Sequence, residues 1–197
     1  MISRLQAGAA GLPFMPMNQT AATDLEHNNP KIRRVKDPYS EREVITVPAL
    51  NPDVGIIHVQ RADRNGNAQV WGILGEQKEA AFASRNVIVT AEEIVDEEIV
   101  RSDPNRTLIP GLIVKAVCHV PHCAHPSYTQ GYYYRDNVFY LNWDKISENR
   151  ATVNAWLDEW VFNVKNSEEY WAKLGPDTHT RLAVKPRYAA PVNYGDY

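Results

Sequence analysis

The stretch of residues 48–72 constrains the fold of this chain more than any other segment. It holds an apolar run at residues 54–59, the polar residues 63–67 and a second apolar run from Val70 onward. Short β-branched runs are typical of strands that are covered in a parallel sheet. Asp, Asn and Gly favour turns, and Asn65 with Gly66 can adopt positive φ. The stretch therefore predicts a buried strand, a tight turn and a return strand.

Length and composition indicate an ordinary globular protein. The 197 residues allow a single domain with a sizeable core, and 44% hydrophobic with 23% charged residues is a common composition. A formal charge of −3 gives no electrostatic case for binding nucleic acid or an anionic membrane. No apolar run approaches the roughly 20 residues needed to span a bilayer. The N-terminus lacks the apolar core of a secretory signal, and two cysteines are too few for a disulfide framework, so we expect a cytoplasmic protein.

Hydrophobic spacing predicts alternating helices and strands along the first two thirds of the chain. We expect helices at residues 2–12 and 76–84, and an extended buried segment at residues 12–17. Residues 18–37 are polar and predict an irregular loop. Strands are expected at residues 43–47, 86–91 and 109–117 in addition to the strand–turn–strand stretch. Strands that alternate with helices indicate an α/β sheet.

The last third of the chain predicts helices and extended segments. Residues 121–142 are rich in aromatic side chains and predict a loop. Ser147 or Asn149 can begin an amphipathic helix, whose apolar positions are 153, 156, 157, 160, 161 and 164. A second helix is expected at residues 167–174, ended by Gly175 and Pro176, and then an extended tail at residues 183–197. These patterns divide the chain into an α/β portion, 1–146, and a helical portion with its tail, 147–197.

Residues 118–125 contain two cysteines and three histidines, which are the side chains that zinc prefers. The spacing does not match the common zinc modules, which place two ligand pairs far apart. A structural or substrate-lining role is therefore favoured over a metal site.

The acidic residues 92–93 and 96–98 allow two interpretations. Paired carboxylates can perform acid–base chemistry when burial separates their pKa values. A charge run is more often a solvated face, and we favour that interpretation. The sequence contains no Ser-His-Asp elbow, no phosphate-binding loop and no dinucleotide fingerprint.

Several segments, in preserved order, resemble the A subunit of family I coenzyme A transferases, especially the glutaconate CoA-transferase subgroup. The resemblance within residues 48–72 is carried by Pro48, Ala49, Pro52, Asp53, Val54, His58, Ala62, Asp63, Gly66, Asn67, Ala68 and Gly72. Further similar segments lie at residues 4–9, 11–14, 86–96, 109–111, 124–126, 131–143 and 156–161. No segment matches the N-terminal part of such a protein, which includes a Gly-rich loop near the CoA site.

The resemblance implies a partial open sheet of the CoA-transferase type with flanking helices and a helical, extended C-terminal arm. It also implies a hetero-oligomer with a B subunit. The expected activity is transfer of CoA from an acyl-CoA to a carboxylic acid, through a glutamyl anhydride and an enzyme–CoA thioester. Coenzyme A is then a substrate, and no tightly bound cofactor is expected. Two alternatives stay open, a CoA-thioester hydrolase of the same fold in steroid-ring degradation and a non-catalytic assembly subunit.

The resemblance places the attacking glutamate of most family members on the B subunit, so no nucleophile is assigned to this chain. It implies instead that this chain supplies part of the wall of the acyl pocket. The predicted substrate-binding residues are Asn18, Gln19, Thr20, Asn67, Gln69, Trp71, Gly72 and His125.

Overall fold

The computed structural model describes residues 1–17 and 24–184 of the chain. It divides into two compact units. Among the described residues, the first comprises those of Met1–Thr90 and Ile94–Cys118, and the second comprises Ala91–Glu93 and those from His119 to residue 184. The sequence places a domain boundary at residue 146. This boundary stays a prediction, because a compact unit of the structure need not be a domain that folds independently.

Two helices of the first unit pack against each other through small side chains. Helix α1 spans Ile2–Ala9, and helix α3 spans Gln77–Ala83. Their contact buries Ala7 and Ala81 completely. Both helices were predicted, and α1 ends two residues before Gly11, which adopts a φ of 67° that continues no helix.

A small antiparallel sheet lies in the first unit. Its strands are β1 (Phe14–Met17), β2 (Arg33–Lys36) and β3 (Glu43–Pro48), in the order β1-β3-β2. The strand at residues 43–47 is confirmed. The loop prediction for residues 18–37 is wrong at helix α2 (Asp24–Asn28) and at β2. Strand β2 forms because pairing with β3 stabilises a segment of weak local preference. Residues 14–17 are extended as predicted but not buried, since Phe14 is 43% exposed.

The larger sheet has the strand order β7-β5-β4-β6-β8. Its strands are β4 (Val54–Ala62), β5 (Ala68–Gln69), β6 (Asn86–Ile94), β7 (Thr107–Ile109) and β8 (Val114–His119). Strands β4, β5 and β7 pair antiparallel. Strands β4 and β6 run in the same direction, because Arg85 N–H donates to the Pro52 carbonyl before both strands and Val95 N–H donates to the Ala62 carbonyl at their far ends. The α/β class is confirmed.

The strand–turn–strand prediction for residues 48–72 is confirmed in outline. The return strand β5 is only two residues long, and the first half of β4 is not covered on both faces. Val54 and Ile56 are exposed, whereas Ile57 and Val59 are buried.

The single strand predicted at residues 109–117 is wrong. A 3-10 turn, Gly111–Ile113, separates β7 from β8. Helix α4 (Glu97–Ser102) and a second 3-10 turn (Pro104–Arg106) precede β7.

The second unit contains short helices that follow a long connecting segment. They are α5 (Asn137–Ile146), α6 (Arg150–Leu157), a π-helical continuation (Asp158–Phe162), α7 (Ser167–Leu174) and α8 (Asp177–Leu182). The side chains of Asn149 and Asn166 accept backbone N–H groups at the starts of α6 and α7. The two predicted helices are confirmed. The loop prediction for residues 121–142 is wrong from residue 137 onward, where α5 begins.

The core of the second unit is built around Tyr133, Trp171 and Leu182. A backbone hydrogen bond joins two segments of this core, because Tyr134 N–H donates to the carbonyl of Leu182. No described helix in either stretch of chain is both long enough and apolar enough to cross a membrane.

Candidate functional site

The turn at residues 63–67 is organised around a buried carboxylate. Asp63 is 1% exposed, and its Oδ1 accepts the backbone N–H groups of Asn65 and Asn67, each at 2.9 Å. Its Oδ2 accepts the side-chain amide of Asn67 at 2.7 Å. Three donors on one buried carboxylate offset the cost of removing it from water. The turn predicted from these turn-forming residues is therefore confirmed, and the hydrogen bonds to Asp63 stabilise it.

The same turn is joined to the segment that follows β7. The side-chain oxygen of Asn67 accepts the N–H of Gly111 at 2.9 Å. Residue 111 must be glycine, because a Cβ there would lie 2.2 Å from the carbonyl oxygen of Asn65. Sequence analysis identified both segments as family markers, and the structure brings them into contact.

Three further predicted binding residues follow directly along the chain. Gln69 is 2% exposed, and its Nε2 donates to the carbonyls of Val100 and Asp103 at 3.2 and 2.9 Å. Trp71 is 4% exposed. Gly72 has a φ of 93°.

Two arginines flank the Trp71 ring. The guanidinium carbons of Arg61 and Arg106 lie 5.5 and 5.3 Å from the ring centre, within cation–π distance. The predicted residues Asn67, Gln69, Trp71 and Gly72 thus lie in one continuous, largely buried segment of the first unit, residues 67–72, which we call the wall. Their contact with a substrate stays a prediction, and Asn18, Gln19 and Thr20 lie outside the described residues.

The remaining predicted residue, His125, lies in the second unit inside a hydrogen-bonded chain. Its side chain is 1% exposed, with Nε2 at 3.3 Å from Oδ2 of Asp136 and Nδ1 at 2.7 Å from the hydroxyl of Tyr170. An ionised carboxylate only accepts, so Nε2 carries the hydrogen. Because burial lowers the pKa of His125, its ring is neutral near pH 7, and the Tyr170 hydroxyl donates to Nδ1.

Asp136 is the acidic end of that chain. Both of its oxygens accept from the guanidinium of Arg181, and Oδ1 also accepts the N–H of Phe139 at the start of α5. The Arg181 hydrogen bonds hold the pKa of Asp136 well below its usual range. Burial, together with the Asp136 charge, raises the pKa of Tyr170 to about 12. These groups fix one another in place and leave His125 no solvent-facing edge.

A second buried carboxylate, Glu92, organises the neighbouring segment of the second unit. It is 5% exposed, and it accepts the backbone N–H of His122 and the hydroxyl of Thr129. The solvated-face interpretation of the acidic run is therefore wrong for Glu92. Nε2 of His119 lies 3.1 Å from the Glu92 backbone carbonyl. The run Glu92–Glu93 at the end of a strand was the only sequence signal for this arrangement.

An open cleft of about 680 Å³ lies in the second unit. Its lining includes His119, Pro121, Trp171 and His179. The His179 ring stacks on Trp171 with ring centres 4.3 Å apart. Sequence analysis placed His119 in a candidate metal cluster and did not identify His179, because residue 179 has no motif and reaches the cleft only through tertiary folding.

Among the described residues, no group of three or more His, Cys, Asp or Glu side chains is arranged to hold a metal ion. Cys118 and Cys123 are both exposed and unbridged.

A family model described as "Coenzyme A transferase" matches residues 1–119. The chain is 47% identical over 168 residues to the A subunit of the 3-oxoadipate CoA-transferase of Pseudomonas knackmussii, covering 85% of this chain and 59% of that protein. It is 37% identical over 196 residues to the A subunit of the glutaconate CoA-transferase of Acidaminococcus fermentans, covering 91% of this chain and 61% of that protein. The chain thus spans about 60% of the length of these curated relatives.

The comparison of folds gives a similar result. The crystal structure of glutaconate coenzyme A-transferase from Acidaminococcus fermentans matches with a TM-score of 0.87 and 32% sequence identity. The match covers 100% of this chain and 67% of that chain.

Proposed function

Because this chain belongs to the coenzyme A transferase family, we propose that it acts as the A-type subunit of an enzyme that moves CoA between an acyl-CoA and a carboxylic acid. The observation that carries this proposal is the match of the whole chain to glutaconate coenzyme A-transferase, which includes the residues after 119 that the family model does not reach. A partner subunit of the B type belongs to the proposal, as does a cytoplasmic location.

The proposed chemistry is covalent catalysis by a carboxylate. A glutamate attacks the thioester carbonyl, the C–S bond breaks and CoA leaves as a thiolate, which gives a mixed anhydride. The thiolate then attacks the glutamyl carbonyl and releases the original acid, so that CoA is held as an enzyme thioester. An acceptor carboxylate reverses these steps and leaves as the new acyl-CoA.

We assign the attacking glutamate to the partner subunit. Within the described residues, the buried carboxylates of Asp63, Glu92 and Asp136 each accept hydrogen bonds from the surrounding protein. Such carboxylates are weak nucleophiles, because attack would cost them these bonds. This chain contributes the rigid wall at residues 67–72. Two hydrogen bonds stabilise the start of this wall, one from Asn67 N–H to the Asp63 carboxylate and one from Gly111 N–H to the Asn67 side chain.

The names of the two relatives suggest the first substrates to test. Both 3-oxoadipate and glutaconate are dicarboxylic acids, so we propose an acyl-CoA with a second carboxylate as donor. Coenzyme A enters and leaves with each turnover and is a substrate in this scheme.

The test is an assay of this chain, co-purified with a B-type subunit encoded beside it. Glutaconyl-CoA and 3-oxoadipyl-CoA serve as donors, with and without acetate as acceptor. Formation of acetyl-CoA only when acetate is present supports transfer. Release of free CoA at a rate that is the same with and without acetate would instead establish hydrolysis. No reaction with either donor would favour an assembly role.

The location of the glutamate is tested separately. The complex is incubated with acyl-CoA, reduced with borohydride and digested for peptide mass analysis. Borohydride reduces an enzyme–CoA thioester to an alcohol, which marks the glutamate that held CoA. We expect the mark on a peptide of the partner; finding it on a peptide of this chain would refute the assignment.

A further inference from the structure

None of the residues assigned to the proposed transfer lines the cleft of the second unit. It lies between the segment at residues 119–121 on one side and helices α7 and α8 on the other. Its volume of about 680 Å³ falls within the range of small-molecule sites, roughly 300–1,000 Å³. A space of this size can take a ligand of one or two rings.

The walls of the cleft are mostly apolar and rigid. Val120 and Pro121 form one side, and Trp171, Ala172 and Pro176 form the other. Trp171 is 8% exposed and belongs to the core of this unit, so its position does not depend on a ligand. A flat apolar body therefore finds preformed walls here.

Two imidazoles add directional polar groups. Nε2 of His119 donates to the Glu92 carbonyl, which leaves Nδ1 as an acceptor in the uncharged ring. His179 also lines the cleft; Trp171 stacks on one face of its ring, and the centre of the His122 ring lies 5.0 Å from its centre. The Ser167 hydroxyl, which can donate or accept, lies in the same lining. Stacking surface and hydrogen-bonding edges are thus present together.

The charge of the lining selects against anions. Among the described lining residues, Glu168 is the only acidic one, and no lysine or arginine is present. A carboxylate or phosphate placed beside it would be repelled. The acid substrates of the proposed transfer are therefore poor occupants of this cleft.

We propose that this cleft binds a flat, uncharged nitrogen heteroaromatic ring of the nucleobase type. Such a ring stacks on apolar and imidazole faces, and its edge offers both donors and acceptors to His119, His179 and Ser167. The ring belongs to a free nucleoside or base, because CoA carries phosphates on its adenosine and Glu168 would repel them.

Binding is tested with adenosine as the probe, by calorimetry on the full chain in the complex in which it is purified. Ala172→Trp fills the cleft from an exposed position of α7, and Ala155→Trp is the matched control on the exposed surface of α6. We expect Ala172→Trp to weaken adenosine binding at least about tenfold and Ala155→Trp to leave it unchanged. Absence of adenosine binding at about 5 mM, or equal binding by both variants, would overturn the proposal.

The selection by charge is tested with adenosine 5′-monophosphate. The unaltered protein should prefer adenosine, and Glu168→Gln should reduce that preference severalfold, because it removes the repulsion without changing the size of the side chain. Glu148→Gln, at an exposed position outside the lining, is the control. A preference that Glu168→Gln does not alter would refute the role of this carboxylate.

Competition with CoA tests this source of the ring. If adenosine binds the site that Ala172→Trp blocks and CoA does not displace it, the ligand is a free nucleoside or base. Displacement of adenosine by CoA at a similar concentration would overturn this source and the selection by charge. Neither result depends on whether the complex transfers CoA.

Discussion

Asp136 and Arg181 form a bidentate ion pair across 45 residues of sequence, with N–O distances of 2.9 and 2.8 Å. The carboxylate is 4% exposed, and it also receives the N–H of Phe139. One buried side chain therefore links the start of α5 to α8, and through His125 to α7. The predictions for the second unit depend on this link.

Replacing Arg181 with Ala should lower the free energy of unfolding by about 2 kcal/mol, because it leaves a buried carboxylate with fewer donors. The Arg181 side chain is 44% exposed, so the loss should fall short of that for a fully buried pair. Urea denaturation at pH 7 measures the change. Lys165→Ala, which removes an 84% exposed partner of Glu169, should cost under about 0.5 kcal/mol, and equal losses for the two variants would contradict the prediction.

The second unit should lose stability as the pH falls below the ordinary histidine value of 6.5. Burial lowers the pKa of both His122 and His125 in the folded chain, so the unfolded chain binds protons first. The stability from the neutral rings is complete above pH 6.5 and is lost as the pH falls through the lowered pKa values. Each ring can contribute at most about 1.4 kcal/mol per pH unit.

Urea denaturation between pH 7.5 and 5 measures this slope. The double variant His122→Asn, His125→Gln should flatten it even if the variant is less stable at every pH, and Asn suits the φ of 60° at residue 122. His27→Gln, at an exposed position, should keep the slope of the unaltered chain. An unchanged slope in the double variant would show that other groups govern the acid sensitivity.

Gly111→Ala should destabilise the first unit by about 3 kcal/mol, because the added Cβ meets a backbone carbonyl that cannot move without breaking the Asp63 turn. Gly75→Ala is the matched control, since the nearest atom to its Cβ would be a side-chain oxygen of Gln77 at 3.5 Å. Thermal unfolding compares the two. Similar midpoints for both variants would mean that the turn adapts and is not the rigid wall described above.

The sequence predicted best the elements whose signals are local. Helix α7 begins after Asn166, which caps it, and ends before Gly175. The sequence signal for each end of the helix therefore lies within one helical turn of that end. The strand–turn–strand unit around Asp63 was predictable for the same reason. The alternation of helices and strands predicted the α/β sheet, and resemblance to a family added a hypothesis about activity.

Contacts between distant segments were not predictable. In the sequence, nothing distinguishes Glu92 from the other residues of the acidic run. Its hydrogen-bond donors come from residues 122–129, which reach it only in the folded chain. Helix α5 lies in an aromatic stretch with no strong helix signal, and its start is fixed by Asp136, whose partner Arg181 lies 45 residues away. The cleft needed His119 and His179 together, and nothing in the sequence relates them.

Exchanging Asp63 and Asn67 tests whether the hydrogen bond between their side chains stabilises the turn. Asp63→Asn alone should cost about 2 kcal/mol, because the new amide points hydrogens at those of Asn67. Asn67→Asp alone should cost a similar amount, because two carboxylates would face each other. In the double exchange, the amide at position 63 still accepts the two backbone N–H groups through its oxygen and donates to the carboxylate at position 67, which accepts the N–H of Gly111.

The double exchange should therefore be more stable than the sum of the two single changes predicts. We expect a favourable coupling of about 2 kcal/mol from a double-mutant cycle by urea denaturation. Pairing Asp63→Asn with Asn154→Asp, on the exposed side of α6, provides a cycle with no shared contact and should give additive effects. An additive Asp63–Asn67 cycle would mean that the two side chains do not hold each other, and the wall at residues 67–72 would lose its proposed support.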